Sequence, residues 1–478
     1  MKTVLVLPPA RQVLERKDTP QYQHIGLGYI AAMLEKNNLK VKVVDAKLDR
    51  LSFTQTVELI KDLKPDILGI SAMTHEIDTA AKLSSQLKHL LGKIFIVIGG
   101  VHVTALPKET LNEYPCFDAG IIGEGEYAML ELVKKIENSD YDISQIKDVV
   151  YRKGTQVLLS ESAGRIEDVD LLPFPAWHQF PNASKYIIIT SRGCPFSCVF
   201  CMQASGRKVR RRSAENVIEE MSRVLDERRP ERFLFYDETF TLDKERVYAI
   251  CDLMIKKGIS KRVPWSATTR VDSIDKDILL KMKEAGCDHI EFGVESGDQK
   301  ILDDIKKKIT LKQAENALAL AKDMNFHTEG AFILGHPNET LSTAYKTIYF
   351  AAKLNPDIAQ IGIMVPYPGT EVFEMAKRGE AGYKILSRRW SDYNKQLGNA
   401  LELDSLSRSD LEKLQLVGYL KLFVMNRRFR DLLKFILNYR REALSFIKNY
   451  FRKDKKQNDS NITIKMMLTM LFSSSPII

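Results

Sequence analysis

Two series of alternating strand and helix patterns constrain the fold of this 478-residue chain. In the first series, short apolar runs rich in β-branched residues predict strands, and apolar residues three and four positions apart predict helices between them. This alternation is typical of a doubly wound, Rossmann-like parallel sheet, which we predict for residues 1–136. The strands are expected at 3–7, 40–44, 67–71, 94–99 and 119–122, and the helices at 26–37, 54–63, 78–91 and 126–136.

The second series lies in residues 185–377 and contains six strand patterns, each followed by a helical one. Six βα units predict a partial (β/α)6 barrel related to the TIM barrel. Residues 137–184 are predicted to be an interdomain linker with a hairpin around Lys153-Gly154, and residues 378–478 a helical C-terminal region. In α/β folds ligands bind at the carboxyl ends of the strands, so the loops there are the candidate sites. The six strands are expected near Tyr186, Arg232, Pro264, His289, His327 and Ile358.

Three cysteines, Cys194, Cys198 and Cys201, follow the first strand of the second series in C-x3-C-x2-C spacing. A disulfide is disfavoured because an odd cluster leaves one thiol unpaired. A structural zinc site normally has four protein ligands, and only His178 lies nearby in the sequence as a fourth. An iron–sulfur cluster held by three thiolates leaves one iron open to a cofactor or substrate. The residues therefore favour an iron–sulfur cluster over zinc.

Composition and charge set the class of protein. A content of 44% apolar and 28% charged residues is typical of a soluble globular chain. The first residues are too short an apolar run for a signal peptide, and no stretch reaches the length of a membrane span, so we expect a cytoplasmic protein. The net charge of +9 is concentrated at 427–456, where eleven Lys and Arg face three acids, 11 − 3 = +8. The rest of the chain is close to neutral and is therefore not expected to bind nucleic acid.

The cysteine spacing, with Phe200 just before the last cysteine, resembles the signature of the radical S-adenosylmethionine superfamily. This resemblance implies that Cys194, Cys198 and Cys201 hold a 4Fe–4S cluster whose open iron chelates S-adenosylmethionine. An electron, expected from a flavodoxin or ferredoxin, would then cleave the sulfonium to give a 5'-deoxyadenosyl radical. Further strand-end motifs resemble those of the superfamily, including residues 332–339 beside the adenine. The implied S-adenosylmethionine contacts are Phe200, Asp237, Glu238, Arg270, Glu295 and Ser296.

Three loops of the first series resemble those of the cobalamin-binding domain in one branch of the same superfamily. The chain lacks the Asp-x-His-x-x-Gly motif that supplies a histidine to cobalt in other cobalamin proteins. The resemblance thus implies cobalamin bound without a protein histidine on cobalt, and we do not expect His75 or His102 to be a cobalt ligand. The implied cobalamin contacts are Ser71, Thr74, Gly99, Gly100, His102, Thr104, Gly123, Glu124, Gly125 and Glu126.

The resemblance implies a cobalamin-dependent radical S-adenosylmethionine enzyme that methylates an unactivated carbon. An oxidative cyclase resembling the anaerobic porphyrin cyclases is an alternative, and a non-catalytic cobalamin or redox sensor is another. A methylthiotransferase is disfavoured because the N-terminal domain offers only Cys116, not a second cysteine trio. Neither the substrate nor a catalytic side chain follows from the sequence.

An amphipathic pattern with a basic polar face marks the C-terminal region. Such a helix can pack on the barrel, lie on a membrane or bind an anionic partner. Packing on the barrel is favoured, peripheral membrane contact with a small-molecule or lipid-like substrate stays open, and nucleic acid is disfavoured. Residues 457–478 show no clear pattern, and much of this tail is expected to be mobile. The apolar positions are Leu432, Ile436, Tyr439, Ala443, Ile447 and Tyr450.

Overall fold

A computed structural model describes residues 1–9, 22–395, 399–438, 462–473 and 475–476. The chain forms two compact units. The first comprises Met1–Pro195, Met202–Ser266 and Glu284–Gly286, and the second comprises Phe196–Cys201, Ala267–Lys283 and Cys287–Ile478. No helix among the described residues is both long enough and apolar enough to cross a membrane.

The N-terminal part of the first unit is a seven-stranded sheet with the order β2-β1-β3-β4-β5-β6-β7. Strands β1 to β5 are parallel, while β6 and β7 are antiparallel additions. The predicted doubly wound sheet is confirmed. In chain order the elements are β1 Lys2–Leu7, α1 Ile25–Lys36, β2 Lys40–Asp45, α2 Phe53–Leu63, β3 Ile67–Ser71, α3 Ile77–Leu91, β4 Phe95–Gly99, α4 Val101–Ala105, α5 Pro107–Glu113, β5 Ala119–Ile121, α6 Glu126–Glu137, β6 Val149–Lys153 and β7 Gln156–Leu159.

Burial explains why the central strands are apolar along their whole length. Helices cover both faces of a parallel sheet, so successive side chains such as Val4, Leu5 and Val6 are all buried. The register aligns the strand ends, since Ser71 of β3 lies opposite Gly99 of β4. The loops after these strands therefore begin at one edge of the sheet.

The segment predicted as a linker contributes to this sheet. The hairpin around Lys153-Gly154 is present as β6 and β7, and β6 pairs with β5. Farther along, Trp177 is buried, and its indole nitrogen donates to a carboxylate oxygen of Glu220 at 3.3 Å. Residues 149–159 thus belong to the N-terminal sheet, because they continue its hydrogen-bonding edge.

The six predicted barrel strands are present and follow chain order in one sheet, β8-β11-β12-β13-β14-β15. Strands β8 and β11 pair in parallel within the first unit, and β13, β14 and β15 pair in parallel within the second. The elements are β8 Lys185–Ile188, β9 Ser191–Arg192, β10 Arg210–Arg211, α7 Ala214–Arg228, β11 Arg232–Phe235, α8 Lys244–Lys256, β12 Trp265–Thr269, α9 Lys276–Glu284, β13 Cys287–Glu295, α10 Gln299–Asp304, α11 Leu311–Asp323, β14 His327–Leu334, α12 Leu341–Leu354, β15 Ile358–Ile363 and α13 Glu371–Arg378.

The C-terminal region holds a short hairpin and three described helices: β16 Tyr383–Ile385, β17 Leu401–Leu403, α14 Arg408–Met425, α15 Phe429–Asn438 and α16 Ile464–Phe472. The buried Lys421 of α14 donates to the carbonyl oxygens of Met470 and Ser473, at 2.8 Å each. Helix α16 lies in residues 457–478, where the sequence shows no clear pattern, and this contact with a distant lysine holds its C-terminal end. Of the predicted amphipathic face, Leu432 and Ile436 lie on α15, whereas Tyr439, Ala443, Ile447 and Tyr450 lie outside the described residues.

Candidate cofactor-binding site

A cavity of about 440 Å3 lies in the first unit, at the carboxyl ends of the N-terminal sheet strands. Its floor is apolar and includes Leu5, Ile70 and Val97. Seven residues that the resemblance assigned to cobalamin line it: Ser71, Gly99, Gly100, Gly123, Glu124, Gly125 and Glu126.

Glycine in this wall is required by geometry at one position and leaves open space at another. Gly100 has a φ of 98°, and a Cβ there would lie 2.6 Å from the carbonyl oxygen of Ala72, so no larger residue fits. At Gly99 a Cβ would meet only the carbonyl oxygen of Ile70, at 3.8 Å. A wall rich in glycine above an apolar floor fits a broad, largely apolar ring with polar edges, such as a corrin.

Three other predicted cobalamin residues do not line the cavity. Thr74 and His102 are buried within the protein, and burial lowers the pKa of His102 to about 4. Thr104 joins two loops of the cavity wall without lining the cavity. Its hydroxyl accepts from the backbone N–H of Gly123 at 2.9 Å and donates to the carbonyl oxygen of Gly100 at 2.8 Å. His75 is also absent from the lining, and its Nε2 lies 3.6 Å from Glu76.

His24, at the N-cap of α1, lines the cavity and was missed by the sequence analysis. Its Nδ1 accepts from the backbone N–H of Leu27 at 3.1 Å, and its Nε2 lies 3.3 Å from the hydroxyl of Ser71. Burial, with a smaller contribution from Lys47, lowers its pKa to about 4, so the ring is neutral at pH 7. Because Nδ1 accepts, the single proton is assigned to Nε2. His24 can therefore donate a hydrogen bond from Nε2 to Ser71 or to a molecule bound in the cavity.

The Gly123-Glu-Gly-Glu126 loop is tied to the chain that leads into the cysteine motif. The guanidinium of Arg192 contacts Glu124 at 2.9 Å and Glu126 at 2.7 Å, and Arg210 contacts Glu124 at 2.7 Å. Burial raises the pKa of the Glu124 carboxyl, but hydrogen bonds from Arg210 and Arg192 outweigh burial and lower it overall. Both glutamates are thus partners of arginines as well as cavity residues.

Asp237 holds the chain just before the cysteine motif. Its buried carboxylate accepts from the backbone N–H groups of Thr190, at 2.6 Å, and Ser191, at 3.1 Å, and from both hydroxyls. The neighbouring Glu238 lines the cavity and accepts from the N–H of Gly193 at 3.4 Å. Asp237, predicted as an S-adenosylmethionine contact, is therefore engaged with backbone, whereas Glu238 faces open space.

Cys194 lies in the first unit, two residues beyond Arg192. Its backbone N–H donates to the carbonyl oxygen of Gly206 at 3.1 Å. Gly193 has a φ of 103°, and a Cβ on it would lie 2.3 Å from the carbonyl oxygen of Lys208. Only glycine allows the returning chain to pass this close to the residue before Cys194.

Cys198 and Cys201 lie together in the second unit. A hydrogen bond between the two thiols lowers the pKa of Cys198 to about 6 and raises that of Cys201 well above its usual value, so only one of the pair ionises readily. No three His, Cys, Asp or Glu side chains in the described residues stand in metal-binding geometry. The fit to a cluster therefore rests on donor chemistry, because cysteine sulfurs are the usual protein ligands of iron–sulfur clusters.

Arg270, which the resemblance assigned to S-adenosylmethionine, has several partners within the second unit. It makes two 2.8 Å contacts to Asp272, donates to the carbonyl oxygen of Lys307 at 2.8 Å, and stacks over the ring of Phe196 at 3.7 Å. Its guanidinium thus holds the residues beside Cys198, and its carboxylate partner is Asp272 of the protein itself.

The remaining predicted residues surround the same part of the second unit. Glu295 pairs with the buried Lys307 at 2.7 Å, and Ser296 is buried 3.0 Å from the hydroxyl of Thr347. The ring of Phe200 lies 6.0 Å from that of His336. Lys307 was not among the predicted residues, because a lysine in the run Lys306-Lys307-Lys308 suggests a solvated charge.

Two family models match the chain, the radical SAM superfamily at residues 188–351 and the B12 binding domain at residues 13–133. An uncharacterized methyltransferase of Pyrococcus horikoshii is 34% identical, over 89% of this chain and 93% of that protein. The anaerobic magnesium-protoporphyrin IX monomethyl ester cyclase of Rubrivivax gelatinosus is 31% identical, over 84% of this chain and 74% of its own.

Solved structures share the fold. The radical S-adenosylmethionine methyltransferase TsrM of Kitasatospora setae, with cobalamin and a [4Fe-4S] cluster bound, has a TM-score of 0.68 at 15% identity and covers 86% of this chain and 90% of its own. The cobalamin-dependent S-adenosylmethionine radical enzyme OxsB has a TM-score of 0.71 at 17% identity and covers 98% of this chain and 78% of its own.

The chain belongs to the cobalamin-binding radical S-adenosylmethionine enzymes. Members of this class combine a 4Fe–4S cluster, S-adenosylmethionine and cobalamin, the three cofactors that the sequence analysis inferred.

Proposed function

We propose that the enzyme methylates an unactivated carbon of a small-molecule or lipid-like substrate. When bound, the cofactors supply a 5'-deoxyadenosyl radical and a transferable methyl group. The observation that carries the proposal is the glycine-walled cavity, which lies where the three loops assigned to cobalamin meet. Methyltransferases among the relatives support the same reaction.

The protein's own part in the reaction is binding, orientation and exclusion of water. The apolar floor of the cavity would keep water from a bound ring, and the His24 N–H and the Ser71 hydroxyl, which both line the cavity, would be available to hydrogen-bond its polar groups. Asp237 and Glu238 fix the backbone on which Cys194 is carried, at Thr190, Ser191 and Gly193. Cluster binding thus depends on a loop shape that these carboxylates set.

Anaerobic reconstitution with iron, sulfide and hydroxocobalamin tests the proposal. With a strong reductant, S-adenosylmethionine and candidate substrates, we expect 5'-deoxyadenosine and a product that carries label from methyl-labelled S-adenosylmethionine. Protein that retains no hydroxocobalamin would contradict the assignment of the cavity. An intact cluster that yields no 5'-deoxyadenosine with any candidate substrate would instead support a sensor.

The cyclase relatives favour one second candidate, an oxidative cyclase. The labelled assay separates the two reactions, because a cyclase forms 5'-deoxyadenosine while its product gains no methyl label. Labelled product therefore excludes the cyclase, and unlabelled ring-closed product excludes methyl transfer.

We also propose that the enzyme works in the cytoplasm and accepts electrons from a flavodoxin or ferredoxin. We further propose that it contacts anionic membranes through α15. Four apolar side chains of α15 are between 49% and 61% exposed, and the sequence at 427–456 has a net charge of 11 − 3 = +8. An exposed apolar stripe beside basic residues suits an anionic lipid surface. The four side chains are Phe429, Leu433, Ile436 and Leu437.

Vesicle flotation tests this membrane contact. The full chain is expected to float with anionic vesicles and not with zwitterionic ones, and Leu433→Ser with Ile436→Ser should reduce the floated fraction several-fold. Leu280→Ser, at an equally exposed leucine of α9, is the matched control. Equal flotation of the α15 variant and this control would defeat the proposal.

A further inference from the structure

We propose that Glu124 couples occupancy of the cobalamin cavity to the arrangement of the loop that carries Cys194. The inference rests on the proposed function only in taking cobalamin as the occupant of the cavity. Glu124 then acts as a positioning residue that joins two cofactor sites, a role separate from direct contact with the corrin.

The carboxylate of Glu124 has partners at both oxygens. One oxygen accepts from Arg192 at 2.9 Å, and the other accepts from Arg210 at 2.7 Å and from the backbone N–H of Ile166 at 2.9 Å. The Glu124 side chain is 10% exposed and that of Arg210 is 1% exposed. A buried carboxylate with this set of partners cannot move alone, because movement would leave charged groups unpaired.

The two arginines lie on the two strands of a short antiparallel ribbon, β9 and β10. Cys194 is in the segment of chain that connects these strands. Arg192 of β9 lies directly opposite Arg210 of β10 in an antiparallel pair. Arg210 also donates to the carbonyl oxygen of Ser205 at 2.8 Å, and Cys194 is hydrogen-bonded to Gly206. Glu124 therefore forms an ion pair with each strand of this ribbon.

The same residue belongs to the cavity wall. Residues 123–126 and Arg192 all line the cavity, and the guanidinium of Arg192 stacks over the ring of Tyr29, another lining residue, at 4.9 Å. A ligand that fixes the 123–126 loop therefore fixes Arg192 as well. Conversely, iron ligation by Cys194 restrains the ribbon and, through Arg192 and Arg210, the cavity wall.

Linkage makes this coupling reciprocal and measurable. If the cluster restrains the wall in its cobalamin-binding shape, cluster-loaded protein must bind cobalamin more tightly than cluster-free protein, by the same factor in both directions. The expected factor for the wild type is about fivefold or more, the lower end of typical coupling between sites.

The test is an anaerobic titration of the full chain with hydroxocobalamin, with and without the reconstituted cluster. In Glu124→Gln the ratio of the two dissociation constants should fall to about one, since a neutral amide cannot hold both guanidinium groups. Glu167→Gln is the matched control, because Glu167 forms an exposed pair with Lys208 on the same segment and its loss should leave the ratio unchanged.

Arg192→Lys keeps the charge but loses the fork to Glu124 and Glu126, and provides a second variant if Glu124→Gln fails to fold. It too should lower the ratio toward one. A wild-type ratio near one, or an unchanged ratio in folded Glu124→Gln, would overturn the inference. Failure of the wild type to bind hydroxocobalamin at all would contradict the proposed function itself.

Discussion

Replacing His24 with asparagine should reverse the sign of its effect on stability between pH 7 and pH 4.5. The Oδ1 of asparagine occupies nearly the place of Nδ1 and can still accept from Leu27, so the helix cap is retained. The variant loses the 3.3 Å contact between Nε2 and Ser71. At pH 7 this loss should cost about 1 kcal/mol, the usual net value of one hydrogen bond.

The pH dependence follows from the lowered pKa of His24. Its pKa is about 4 in the folded state and 6.5 in the unfolded chain, so below pH 6.5 the unfolded state binds the proton more tightly. The wild type is therefore most stable above pH 6.5 and loses stability as the pH falls toward 4. At pH 4.5 this linkage is about 2.5 kcal/mol at most, because the half-buried ring keeps some contact with solvent, which reduces the linkage. Asparagine does not titrate, so the variant should be the more stable protein there.

Thermal and urea midpoints of cofactor-free wild type and variant, at pH 7 and pH 4.5, measure the effect. His89→Asn is the control, since His89 is exposed on α3 and the structure gives no reason for a crossover there. A His24→Asn variant that remains less stable than the wild type at both pH values would refute the assignment of His24 as a buried neutral ring. It would mean that the ring is charged or solvated.

Three further substitutions test separate parts of the structure. Cys198→Ala should abolish the absorbance and iron content of the reconstituted cluster, whereas Cys116→Ala, outside the motif, should leave both unchanged. Asp237→Asn should lower the unfolding free energy by about 2 kcal/mol and reduce iron content, because an amide cannot accept from two backbone N–H groups and two hydroxyls. Lys421→Met should speed amide hydrogen exchange in α16, because the carbonyl oxygens at the end of this helix would lose the ammonium group that donates to them.

The controls for these variants come from exposed members of the same residue types. Asp226→Asn removes an exposed pair with Arg262 and should change neither stability nor iron content. Lys434→Met, at an exposed lysine of α15, should leave exchange in α16 as it is. Iron bound normally by Cys198→Ala, or slow exchange in α16 of Lys421→Met, would contradict the corresponding contact.

The fold was predictable because its information is local. A parallel strand covered on both faces is an apolar run whatever its partners are, so β1 to β5 and the six barrel strands could be located from the sequence. The addition of β6 and β7 to the sheet could not, since their polar residues look like those of a linker. Helix α16 was missed for a related reason, because its order depends on Lys421, far away in the sequence.

The candidate site was predictable in position but not in contacts. Glycine loops at strand ends marked the cavity, yet the two arginine partners of Glu124 lie 68 and 86 residues away. His24 was invisible for the same reason, since its exceptional pKa arises from burial beside Ser71. Motif spacing indicates which residues reach the edge of a sheet, whereas pairing across the fold depends on tertiary packing.

The lysine contact on α16 constrains how the C-terminal region can be studied. A chain shortened before residue 462 would remove the carbonyl oxygens that Lys421 now binds, and the ammonium would remain in an apolar environment. Such a deletion would then weaken α14, which packs on α12 and β15. Loss of membrane binding or turnover in a shortened chain would therefore reflect weakened packing of α14 on the barrel. Side-chain substitutions are the way to assign a role to these last residues.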